Sequence, residues 1–135
     1  MGQQQLLLII LGVIIVGIAI AVGLSLFRAN SIQANKDAII NDLNNIGANA
    51  YHFRIRPTSM GGGGGAYDVS KGATAAYSIP TKMSSNNNAN YTTPSVTADV
   101  ITILGTNPNA ADQTAQADFD QNGKFTNWVY GTDFQ

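Results

Sequence analysis

Polar and apolar positions divide the chain into stretches of different period. Residues 6–27 contain no ionisable side chain and no amide, and Ser25 is the one clearly polar side chain among them. A helix that is apolar on every face needs lipid or other such helices around it. This run is about 33 Å long as a helix, enough to cross a hydrocarbon layer of about 30 Å. Ile9, Ile10, Val13 to Val16, Ile18, Ile20 and Val22 make it strongly β-branched. In lipid the helix is nevertheless the form that satisfies its own backbone. Gly12, Gly17, Ala19, Ala21 and Gly23 offer small surfaces at which neighbouring helices approach closely.

Beyond Arg28 the pattern changes to one face of a helix. Ile32, Ile39, Leu43, Ile46, Ala50 and Phe53 follow one another at spacings of 7, 4, 3, 4 and 3, while Asn30, Gln33, Lys36, Asp37, Asn41, Asp42, Asn44 and Asn45 occupy the opposite surface. Gly47 is a weak point in this stretch. Pro57 and the five glycines 61–65 end the helix, because proline disfavours helical geometry at Arg56 and glycines bring no side chains to pack. Taken as continuous, the helix runs from about residue 3 to residue 56 and is about 80 Å long. The apolar stripe of its second half serves as the back wall of a small domain in preference to a coiled-coil seam, for which it has too few positions.

The remainder reads as a small β-rich head. Strand-like pieces are 66–70, 73–79, 95–104 and 124–130, with Val96, Ala98, Val100, Thr102 and Leu104 alternating against Thr97, Asp99, Ile101 and Ile103. Turns are marked at 105–109 and at Asn122–Gly123. Residues 84–93 carry almost no apolar side chains and predict a surface loop. The fold expected is therefore α+β: a long N-terminal hydrophobic helix continues into an amphipathic stem and packs against a small antiparallel β-sheet head. Its parts are residues 1–27 as membrane or filament-core helix, 28–56 as stem, 57–66 as Gly-rich crossover and 67–135 as head.

Composition sharpens this picture. The chain has 135 residues, 8 acidic side chains, all Asp, against 7 Lys or Arg, and no Cys. Residues 57–135 are net acidic by three and 28–56 net basic by two. Basic residues nowhere cluster into a phosphate-binding surface, so no nucleic-acid partner is expected. No Lys or Arg precedes the apolar run, and the run is too long for a cleaved secretory signal.

Candidate chemical sites are few. Asp118, Asp120, Asn122 and Gly123 match the first half of a calcium loop, although the twelfth position is Val129, which cannot supply the bidentate carboxylate. The competing reading is an Asp-rich surface turn. Calcium is the one cofactor the sequence raises. His52 is the sole histidine, so zinc has no ordinary first shell, and His52 reads as a packing or surface residue. No nucleophile with a base and orienter is identifiable, so no enzymatic activity is expected. Asn90, Tyr91 and Thr92 form an N-glycosylation triplet.

The apolar helix at residues 6–27, the amphipathic extension, the glycine run 61–65 and the β-rich remainder together resemble the mature subunit of a type IV pilus, or its secretion-system relative, the major pseudopilin. In that family a prepilin peptidase cuts before the hydrophobic segment and methylates the new amino terminus, and the helices pack as the core of a filament. The resemblance implies that Met1 is the methylated first residue; if Met1 is instead the initiator, cutting after Gly2 leaves Gln3 first. It implies assembly contacts at Gln5, Gly12, Gly17 and Gly23, an extracellular homopolymer drawn from a membrane-embedded pool of subunits, and an inner-membrane platform and ATPase as transient partners. Adhesion, motility or surface attachment follows as the expected role. The sequence departs from the family in having Gln5 where Glu pairs with a neighbouring amino terminus, Val22 where Pro is common, and no cysteine pair in the C-terminal region. A pseudopilin of a type II secretion system, an archaeal pilin or archaellin, and a lone membrane-anchored binding domain are the alternatives.

Overall fold

The computed structural model describes residues 2–135; Met1, the expected site of methylation, lies outside the described residues. Helix α1 spans Gly2–Ile55, and strands β1 (Asn90–Val96), β2 (Ile101–Asn107), β3 (Ala110–Phe119) and β4 (Phe125–Tyr130) form one sheet in the order β1-β2-β3-β4. Every neighbouring pair is antiparallel, so the sheet is a simple meander. The molecule is thus an α+β fold with one long N-terminal helix and a four-stranded antiparallel head. By internal contacts the chain divides after Gln33, the second unit being Ala34–Gln135.

In the second unit α1 buries Ile39, Leu43, Ile46, Gly47 and Ala50, the stripe that the 3-and-4 spacing marks. The sheet meets it with Tyr91 of β1, Ile101, Ile103 and Gly105 of β2, and Ala115, Ala117 and Phe119 of β3. Register explains the set: Ile101 pairs with Phe119, Ile103 with Ala117 and Gly105 with Ala115, so all six point to one face. Small residues hold the middle of that face and let the helix come close. A methyl group on Gly105 would stand 2.8 Å from the Tyr91 ring and 2.9 Å from Ile39 Cγ2. Gly47, a weak point by propensity alone, faces the rings of Phe119 and Phe125, which leave no room for a side chain.

The glycine run is folded back on the end of α1. The amides of Gly63, Gly65 and Gly64 donate to the carbonyls of Phe53, Arg54 and Arg56 at 2.8, 2.7 and 3.0 Å. A helix end leaves its last carbonyls without intrahelical partners, and these glycines supply them. The segment expected as a Gly-rich crossover thus also caps the C-terminal end of the helix.

Several expected strands are corrected by the structure. Segments 66–70 and 73–79 are irregular; Tyr67 and Tyr77 are buried, and a single backbone bond, Tyr77 N–H to Tyr67 O at 2.7 Å, joins the pair. A turn at 69–72, with Gly72 at φ +88°, interrupts the pairing there. The loop expected at 84–93 gives way at Asn90 to β1. The expected strand 95–104 is two strands, broken where Thr97 N–H donates to Val100 O at 2.9 Å and the Thr97 hydroxyl accepts from Val100 N–H at 3.1 Å. That turn resets the alternation, so Ile101 and Ile103 are the buried residues and Val100 is exposed. The turn expected at 105–109 starts later, since Gly105 to Asn107 belong to β2. β3 went unmarked because Ala, Gln and Asp are weak strand formers.

Candidate functional site

The first unit is the stretch of α1 up to Gln33. Its large apolar side chains from Leu6 to Phe27 are all exposed, from 48 % at Ile10 to 72 % at Phe27, and Ile32 near its end is half-buried. It is the one helix among the described residues long and apolar enough to cross a membrane. Gly12, Gly17 and Gly23 have nothing within 4 Å of where a Cβ would stand, so their backbone is open to any surface that approaches. At about 100° per residue, Gln5, Gly12 and Gly23 fall within about 20° of one another, while Gly17 lies about 120–140° away. The four expected assembly residues therefore divide between two faces. Ala19, seven residues after Gly12, shares the first of them; that spacing was the signal that adds it to the set.

The acidic turn lies between β3 and β4. Asp118 accepts from the Thr102 hydroxyl at 2.7 Å and from Asn127 Nδ2 at 3.0 Å. Asp120 Oδ1 accepts the backbone N–H groups of Asn122 and Lys124 at 2.8 and 2.9 Å, and Asp120 N–H donates to Lys124 O at 2.9 Å. The Lys124 amide bond, with that of Asn122, holds the Asp120 carboxyl below its ordinary range. These bonds shape the hairpin, and no group of three His, Cys, Asp or Glu poised to hold a metal occurs among the described residues. Val129 lies on β4 with its side chain exposed.

Asn90 is exposed at the start of β1, its Oδ1 accepting from the Ser85 hydroxyl at 2.7 Å. Next to it lies an anchor that the helical pattern placed among the solvent-facing residues. Asp42 Oδ2 accepts from the Tyr91 hydroxyl, from Asn86 Nδ2 at 2.8 Å and from Asn88 Nδ2 at 3.2 Å. Partial burial pushes the Asp42 carboxyl upward, but these three donors outweigh it and hold its pKa below the ordinary 3.8. Burial, reinforced by Asp42, pushes the Tyr91 hydroxyl well up, so it remains a donor. No local pattern pairs these asparagines with Asp42, which lies 44 and 46 residues before them in the chain.

His52 is exposed. Aromatic rings run across the sheet: Tyr67 to Phe119 at 6.2 Å, Phe119 to Phe125 at 4.8 Å, Phe125 to Trp128 at 5.1 Å and Trp128 to Tyr130 at 6.0 Å. Lys36 ends the row, 4.2 Å above Tyr130 and donating to Phe134 O at 2.9 Å. These rings pack core and edge, as strand aromatics do. Compared with protein-family models, curated proteins and solved structures, the chain gives no match.

Proposed function

We propose that the chain is a structural, non-enzymatic subunit that polymerises through its N-terminal helix into an extracellular filament of the type IV pilus kind. The observation that carries this reading is that one chain combines an apolar helical stretch exposed on every face with a small folded head. A tether alone needs length and apolarity. Lipid tails are as apolar as leucine, so helices leave lipid for one another only where packing is closer than lipid allows. Gly12, Ala19 and Gly23 on one face and Gly17 on another offer such contacts to more than one neighbour. Gln5 shares the first face and hydrogen-bonds across a helix contact without neutralising an amino terminus. In this reading a prepilin peptidase matures the chain in the membrane, and an inner-membrane platform with its ATPase extracts it.

Electron microscopy of sheared extracellular material, together with the mass of the mature amino terminus, tests the proposal. Fibres containing this chain, with a processed and methylated first residue, are the expected result. Native protein found solely as membrane monomers overturns it, and loss of secreted enzymes without surface fibres on deletion points to a pseudopilin instead. Gly12→Leu and Gly17→Leu should lower fibre yield while leaving membrane insertion intact. Equal yields would remove the close contacts from the argument.

A further inference from the structure

A cleft of about 380 Å³ flanks the last turns of α1, where Asn49, Phe53 and Arg56 face Thr74, Tyr77 and Ser78. Its volume falls within the about 300–1,000 Å³ of small-molecule sites. Arg56 is the one charged residue that lines it, and no carboxylate does. Arg54, two residues earlier, is fully committed: it donates to Ala98 O at 2.7 Å, lies 3.7 Å from Asp99 and stacks 5.2 Å over Tyr67. The Arg56 guanidinium has no hydrogen-bond or ion-pair partner among the described residues.

The surroundings are arranged for an anion carrying hydroxyls. The end of a helix repels negative charge through its free carbonyls, but here the glycine amides occupy the carbonyls of Phe53, Arg54 and Arg56. Asn49 Oδ1 accepts the Tyr77 hydroxyl at 2.9 Å, which leaves the Asn49 NH₂ as a donor. Burial pushes the Tyr77 hydroxyl well up and keeps it protonated for that bond. Thr74 and Ser78 are exposed, and the tilted pair Phe53 and Tyr77, 5.6 Å apart, supplies an apolar wall. A guanidinium fork suits a carboxylate bidentately, an amide and two hydroxyls suit sugar hydroxyls, and a ring wall suits the C–H face of a pyranose.

We propose that this cleft binds a carboxylated monosaccharide unit, a uronic acid, with Arg56 on its carboxylate. The proposal holds whether or not the chain polymerises. The test is titration of the full-length protein in detergent micelles with glucuronate, followed by nitrogen-15 NMR, with glucose and inorganic phosphate as comparisons. Saturable shifts at the Asn49 side-chain amide and the Tyr77 N–H are expected, weaker in high salt. Arg56→Gln should lower affinity by about tenfold or more, as loss of a charge-assisted pair does, while Lys71→Gln leaves it unchanged. Arg56 is exposed, and an unaltered melting temperature of the variant checks its fold. Glucose or phosphate binding as well as glucuronate, equal affinity in Arg56→Gln, or no saturation overturns the assignment. An Arg56-dependent gain for an oligouronate over glucuronate supports it with an acidic polysaccharide as the source; equal affinities support it with the free sugar.

Discussion

Asp42 shows how one side chain on a helix decides the course of a loop. Three donors from the asparagine-rich segment and β1 converge on one of its oxygens, so Asp42→Ala leaves a partly buried Tyr91 hydroxyl without its acceptor. A loss of about 2–4 kcal/mol in the stability of the head is expected from chemical denaturation. The pH dependence has a definite sign. The folded pKa lies below the ordinary 3.8, so the unfolded chain binds more protons as pH falls toward that value. The contribution of Asp42 is therefore complete above about pH 5, begins to decline near the unfolded pKa and is lost as pH falls through the folded one. Thermal melts of the wild type and Asp42→Asn between pH 2 and 6 should converge at the acid end. Gly105→Ala tests the helix contact, because Tyr91, held by Asp42, cannot yield freely to the added methyl group. A loss of about 1–3 kcal/mol is expected from denaturant unfolding. The stem residues that enter the core were legible from their spacing; the partners of Asp42 were not, because hydrogen bonds across about fifty residues leave no local pattern.

Among the elements, α1 was readable almost to its last residue, since apolar period and Pro57 both report on local geometry. The strands were read less well. β2 was assigned the wrong inner face because a four-residue turn at 97–100 shifts the alternation, and a shift of one residue exchanges the faces of a strand. β3 carried its alternation in Ala115, Ala117 and Phe119 against Gln116 and Asp118, but alanine is too small to mark a buried face by itself. The β3–β4 hairpin, in contrast, was announced by Asn122–Gly123. The cap of α1 makes its own prediction. Gly65 has φ +105° and nothing within 4 Å of where a Cβ would stand, so Gly65→Ala brings backbone strain without a collision. About 1–2 kcal/mol of destabilisation is expected, read from equilibrium unfolding.

For the molecule as a whole, the division after Gln33 separates two chemistries. Residues 34–135 hold the buried core, and the preceding stretch of α1 holds the surface that lipid or other helices must cover. A fragment beginning at Ala34 should be soluble and monomeric by sedimentation and unfold in one cooperative step, whereas the full chain should require detergent. Aggregation of the fragment would mean that the head needs the apolar helix to fold. The α+β architecture was legible because a long apolar helix, an amphipathic stripe and alternating segments leave few ways to bury their faces. The cleft beside Arg56 was not, since it depends on how segment 74–80 returns to the helix. The cap has a last consequence for how the chain meets proteases. A run of glycines is ordinarily the softest place to cut, yet here three successive amides are locked onto the end of α1. Limited digestion should therefore spare residues 61–65 and leave the helix and the sheet joined in one polypeptide.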